Sequence, residues 1–249
     1  MAMTYMNFLS YNSTGLGTAK IEWINKVLDT CKIDFAQIQE HFQKSKNINS
    51  KFDRYFPNYD NYIISGIRSN AQDSGRAKGG LVQLINKEID IKKERIDTTH
   101  WRIQAQIINF PGNQRILWIN AYFPVDPRTI NFDNDELMEV LVEIEKIMDN
   151  TQYDDCCIGG DLNCDERRDS GFVNTVKEFM NRMGLRSVWE KHMIDFTHVH
   201  TDLKSISILD SLLDQVEDAG ALHIASNLSR HSPITIKIKL KEAVSDKVS

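Results

Sequence analysis

The chain has 249 residues, 41% of them hydrophobic, enough apolar material for one large domain and too much for a disordered bulk. A formal net charge of −5 excludes a globally basic coat for nucleic acid, so any such contact must come from local patches. KSKNINSK (44–51), GRAK (75–78) and KKER (92–95) are the candidates, and each also reads as a solvated loop or face.

The opening MAMTYMNFLSYN lacks the basic-then-apolar pattern of a secretory signal, and no window approaches a membrane span. Cys31, Cys156, Cys157 and Cys164 lack the paired spacing of a structural zinc site and read as reduced core thiols of a soluble intracellular protein. TYMNFLS (4–10) predicts a first strand, with Asn12 in the loop after it, and AKIEWINKVLDTC places Ile21, Ile24, Val27, Leu28 and Cys31 on one helical face. IDFAQIQ (33–39) predicts a second strand with Glu40 at its end. NYIISGI (61–67), GLVQLIN (80–86), WRIQAQIINF (101–110) and RILWINAYF (115–123) follow as strands, the last two joined by a PGN turn. DNDELMEVLVEIEKIMDN is the clearest helix, and a second is expected over about 171–183. SISILDSLL (205–213) reads as a strand with Asp210 near its middle, ahead of ALHIAS and a final alternating strand, ITIKIKL. A βαβ unit followed by a meander implies mixed sheets, in a single domain over 1–240 with a polar tail over 241–249.

CCIGGDLNCDE (156–166) is an apolar run that stops at two glycines and then presents Asp161 and Asn163. Gly159 and Gly160 would let a ligand approach the backbone closely. Similar polar residues close other strands: Asn12, Glu40, Tyr122, and His231 just before the last. Glu40 offers a hard oxygen to Mg²⁺. His231 suits a general base or a phosphate contact, with Asp210 fixing its tautomer. Asn12 and Asn163 can donate to phosphate oxygens, and Tyr122 can donate where charge develops.

In chain order, SYN (10–12), IQE (38–40), GRAKGGL (75–81), NAYFP (120–124), GGDLN (159–163), Ser207-x-Leu209-Asp210 and Ser229-x-His231-Ser232-Pro233 resemble the endonuclease/exonuclease/phosphatase superfamily. SYNSTGLG, GRAKGGL and NAYFP look most like the endonuclease domains of non-LTR, LINE-type retrotransposons. The resemblance implies an α/β fold, a four-layer α/β/β/α sandwich of two packed mixed β-sheets flanked by helices. It also implies a phosphodiesterase site requiring Mg²⁺, with Mn²⁺ as a substitute. Glu40 would hold the metal, with Asn12 beside it. Asp161 would orient or deprotonate the attacking water, Asn163 bind the scissile phosphate, and Tyr122 stabilise the transition state. Asp210 would pair with His231, and Arg76, Thr197 and Ser207 would lie along the substrate.

The family's last motif is usually Ser-Asp-His, whereas here Arg230 stands between Ser229 and His231. An arginine there either weakens metal binding by repulsion or contacts a substrate phosphate. The function implied is nicking of double-stranded DNA for target-primed reverse transcription, with a reverse transcriptase domain in the same polyprotein, a nuclear setting and no membrane. The alternatives are a phosphatase acting on a small phosphorylated molecule or lipid, and a nucleic-acid-binding module with weakened catalysis.

Overall fold

The computed structural model describes residues 5–44, 46–67, 77–126, 135–165, 168–192 and 206–240, and for 206–210 it describes the backbone alone. The elements in chain order are β1 (Tyr5–Asn12), α1 (Thr18–Thr30), β2 (Phe35–Gln39), α2 (Ile48–Tyr55), β3 (Tyr59–Ile64), β4 (Leu81–Asn86), β5 (Lys92–Ile96), β6 (Ile103–Asn109) and β7 (Arg115–Tyr122). There follow α3 (Asp135–Asn150), β8 (Asp155–Asp161), α4 (Gly171–Arg182), β9 (Leu185–Ser187), β10 (Ile206–Leu209), α5 (Asp210–Leu213), β11 (Val216–Ala221) and β12 (Ile234–Lys239).

They form two six-stranded mixed sheets, ordered β11-β12-β1-β2-β4-β3 and β5-β6-β7-β8-β10-β9. Each sheet has one parallel pair, β1 with β2 and β7 with β8. A parallel pair needs a crossover, which α1 and α3 supply. The apolar stripe of α1 packs with Phe52 of α2 on the outer face of the first sheet. Those of α3 and α4 pack on Ile119, Ala121 and Ile158 of the second. The result is the four-layer sandwich expected.

Between the sheets the side chains change character along each strand. At one end lie Phe8, Phe35 and Trp118, the first two stacked at 4.7 Å and the last two edge-on at 5.5 Å. Further along, the inward positions become amides, all buried: Gln37, Gln39, Gln83, Gln104, Gln106 and Asn120. They bond across the gap. Gln37 Nε2 donates to Ile119 O at 2.8 Å, Gln39 Nε2 to Asn120 Oδ1 at 2.8 Å, and Gln83 Nε2 to Trp118 O at 3.1 Å. Asn120 Nδ2 reaches Gln104 Oε1 at 3.2 Å, and Gln106 Nε2 reaches Gln83 Oε1 at 3.0 Å. A buried amide is tolerated when it is hydrogen-bonded in this way and is costly otherwise. Gln83→Leu should therefore cost about 1–3 kcal/mol, because it leaves the buried Gln106 amide without its acceptor. Urea denaturation measures this, and an unchanged midpoint would mean the layer contributes nothing.

Two basic patches prove to be structured. Much of KSKNINSK enters α2, which buries Ile48 and Phe52, and KKER lies in β5, an exposed edge strand whose lysines discourage edge pairing. Among the described residues no helix is long and apolar enough to cross a membrane. Cys156, Cys157 and Cys164 are buried, and burial pushes the Cys157 thiol up to about 12.

Candidate active site

Both strands of a parallel pair end at the same edge, and stacking the two pairs brings four strand ends together. In the register, Asn12 lies opposite Gln39, the residue before Glu40, and Tyr122 lies opposite Asp161. The polar gradient between the sheets thus terminates in Asn12, Glu40, Tyr122 and Asp161.

Asn12 joins the two sheets. Its Nδ2 donates to Glu40 Oε2 at 2.9 Å and to Asp161 Oδ2 at 2.7 Å, while its Oδ1 accepts Thr14 N–H at 2.9 Å. The Tyr122 hydroxyl donates to the other Glu40 oxygen, Oε1, at 2.8 Å. Asp161 Oδ1 accepts Asn163 N–H at 3.1 Å, and Asn163 Nδ2 donates to Phe123 O at 2.8 Å. Burial, then the charge and hydrogen bond of Glu40, raise the Tyr122 phenol far above its ordinary value, with Arg102 opposing. In this arrangement the Tyr122 hydroxyl is a donor.

Strain collects here too. Thr14, Glu40, Phe42 and Asn163 have φ of 46°, 55°, 54° and 47°, a region non-glycine residues occupy at a cost of about 1–3 kcal/mol each. The turn after Glu40 is held by His41, whose Nε2 donates to Ile64 O at 3.0 Å and whose Nδ1 accepts Gln43 N–H at 3.0 Å. Those two bonds require a neutral imidazole, and burial keeps it so by lowering its pKa to about 4.

The segment before β12 docks on the same edge. Ser229 Oγ donates to Asn12 O at 2.9 Å and lies 2.7 Å from Thr14 Oγ1. Asn227 takes the Tyr11 hydroxyl at 2.8 Å and donates to His231 O at 2.7 Å, while His231 N–H reaches Ser229 Oγ at 3.2 Å. Arg230 is exposed between them.

Two expectations are corrected. Gly159 and Gly160 do not open space for phosphate and metal: a Cβ at Gly159 would lie 2.0 Å from Gln37 Oε1, and one at Gly160 would lie 1.8 Å from Ala121 O. They let the sheets and strands close on each other beneath the site. Nor does the backbone carry Asp210 to the edge where the His231 segment docks. β10 runs antiparallel to β8, pairing Ile206 with Gly159 and Ile208 with Cys157, so it leads away from Asp161. Asp210 opens α5 at the far end, where the neighbouring Ser211 Oγ bonds Asp155 Oδ1. The backbone of Ser207 lies inside the sheet, opposite Ile158 and Ser187. Arg76 and Thr197 lie outside the described residues.

The donor set suits Mg²⁺. Two carboxylates converge on one amide nitrogen and repel each other, a conflict a divalent cation relieves, and Mg²⁺ favours one or two carboxylates with waters. Among the described residues no cluster of three or more His, Cys, Asp or Glu could hold a metal. Asn12 is hydrogen-bonded through both amide atoms, to the two carboxylates and to the Thr14 amide. Sequence reasoning missed Tyr11, Asn227 and Arg102. Only the last left a trace, a charge at the head of a strand beside a tryptophan.

No family model matches the sequence, and no curated protein matches it. Solved structures do. An AP endonuclease from Leishmania major is 13% identical with a TM-score of 0.73, covering 96% of this chain and 89% of that one. The endonuclease domain of TRAS1, a telomere-specific non-LTR retrotransposon, is 16% identical with a TM-score of 0.67, covering 96% and 100%. A 3′ phosphatase from Neisseria, bound to a product DNA hairpin, is 13% identical with a TM-score of 0.70, covering 94% and 100%. The two stacked mixed sheets and their flanking helices are the fold shared by the endonuclease/exonuclease/phosphatase proteins, and this chain has that fold.

Proposed function

We propose that this domain is a divalent-metal-dependent endonuclease that nicks double-stranded DNA. The observation that carries the reading is the hydrogen-bonded meeting of Glu40, Asn12, Tyr122 and Asp161 at four strand ends. A cation held at Glu40 would neutralise phosphate charge. Asp161, buried and fixed by Asn12 and the Asn163 amide, holds the attacking water and takes its proton. Water adds to phosphorus, the bond to the 3′ oxygen breaks, and a 3′-hydroxyl remains for a reverse transcriptase to extend. His231 and the exposed Arg230 face the phosphate, Arg230 as a contact that replaces the family's aspartate. The motifs SYNSTGLG and NAYFP and the likeness to the TRAS1 domain support the retrotransposon setting, with its reverse transcriptase partner.

Purified domain should convert supercoiled plasmid to open circles with Mg²⁺ or Mn²⁺ and leave ends that a polymerase extends. Equal nicking in excess chelator would refute the metal role. Binding to duplex DNA should weaken steeply with salt, and Arg230→Ala should lower the log–log salt slope by about one. Likeness to a 3′ phosphatase favours a second reading, phosphate removal from a DNA end. Phosphate release from such an end without nicking selects it, and hydrolysis of lipid or inositol phosphates without DNA binding selects a small-molecule phosphatase.

A further inference from the structure

Arg102, one residue before β6, touches neither Glu40 nor Asp161 yet is wired to the site. Its guanidinium carbon lies 4.2 Å from the Trp101 ring centroid and 4.9 Å from that of Tyr122. Nη1 donates to Tyr122 O at 3.2 Å and to Phe123 O at 3.5 Å. Its own carbonyl accepts Tyr122 N–H at 2.9 Å. Nε and Nη2 grip Glu136 Oε1 at 2.9 and 2.8 Å, in the first turn of α3. The side chain is only 11% exposed.

These contacts fix Tyr122 from three directions: its backbone on both sides, and its ring face by a cation. The hydroxyl that results points at Glu40. Phe123 O also receives Asn163 Nδ2 at 2.8 Å, so the same guanidinium braces the segment on which Asn163 rests. A planar fork with five donors can serve two carbonyls, a carboxylate and two rings together, which an ammonium cannot.

We propose that Arg102 is a positioning residue that holds the Tyr122 hydroxyl on Glu40 and, through the Phe123 carbonyl, sets Asn163. This rests on the nuclease reading of the site. Partners at one remove from a metal or reacting group typically contribute about 10–100-fold, and Arg102→Ala should lower nicking by that factor. Arg102→Lys should recover little of it. In a Tyr122→Phe/Asn163→Ala background, where both groups that Arg102 positions are gone, adding Arg102→Ala should scarcely slow nicking further, whereas multiplied losses would overturn the proposal. Arg102→Met keeps the stem between the rings and replaces the alanine variant should that one not fold.

A second measurement needs neither metal nor DNA. In tyrosine-labelled protein, with the Tyr122 signal identified by its loss in Tyr122→Phe, NMR should show faster hydroxyl exchange and ring flipping in Arg102→Lys and Arg102→Met. An unchanged Tyr122 signal overturns the proposal whatever the nicking result. A signal that responds in a protein unable to nick sustains the positioning role and overturns the nuclease reading.

Discussion

Alanine at Asp161 should reduce Mg²⁺-dependent nicking by about 10²–10⁴-fold, the span of general acid–base groups, and alanine at His231 should lower it through the lost phosphate contact, neither unfolding the domain. The two positions differ in what else they lose. Asp161→Ala gives up the hydrogen bonds from Asn12 and the Asn163 amide, about 1–3 kcal/mol, which in a chain of this size is a fall of several degrees in Tm. His231→Ala keeps both bonds described above, since they belong to its backbone. Thermal melts alongside plasmid assays separate loss of chemistry from loss of structure. Turnover near wild type in both variants would remove these residues from the mechanism.

Gly160→Ala should be strongly destabilising. The added Cβ would meet the Ala121 carbonyl oxygen at 1.8 Å, and that oxygen belongs to the adjacent strand of a parallel pair, so no side chain can swing aside. The backbone there has φ of 141°, which an L side chain resists independently. Strain and overpacking together should cost about 3 kcal/mol or more, a drop on the order of 10 °C in Tm. Because Gly160 lies between Gly159 and Asp161, nicking should fall even below the melting range. A melting point within a degree or two of wild type would show that the strands separate there with ease.

The first eight strands' worth of sequence shows how much of this could be read in advance. Met6, Phe8, Ile85 and Trp118 alternate with residues that face the helices, and that period of two identified most of the strands on which the site stands. The same period hid what lies between the sheets. A glutamine alternating with alanine or isoleucine, as in FAQIQ and IQAQIIN, reads as a strand with one face in water. Here the alternate face meets a second sheet, and only tertiary structure tells the two apart. Glu40, Asp161 and Tyr122 were legible because each follows a strong apolar run. Asp210 was misplaced because a strand's period says nothing of its direction, and direction decides which end of β10 reaches the site. Arg102 belongs to no motif, since its contacts join residues 20 and 34 positions away.

The amide layer beneath the site bears on how the two halves of the molecule are aligned. Sheets joined only by methyl and phenyl groups could settle a fraction of an ångström one way or the other at little cost, since dispersion contacts have no direction. Hydrogen bonds such as Gln37 to Ile119 and Gln39 to Asn120 do have direction, and they act as dowels. Asn12 and Glu40 ride on one sheet and Tyr122 and Asp161 on the other, so the dowels set the gap between the two halves of the site. Stability and alignment are then separable properties: replacing both partners of an amide pair with leucines can leave the fold's free energy nearly unchanged while freeing the two halves of the jaw to drift.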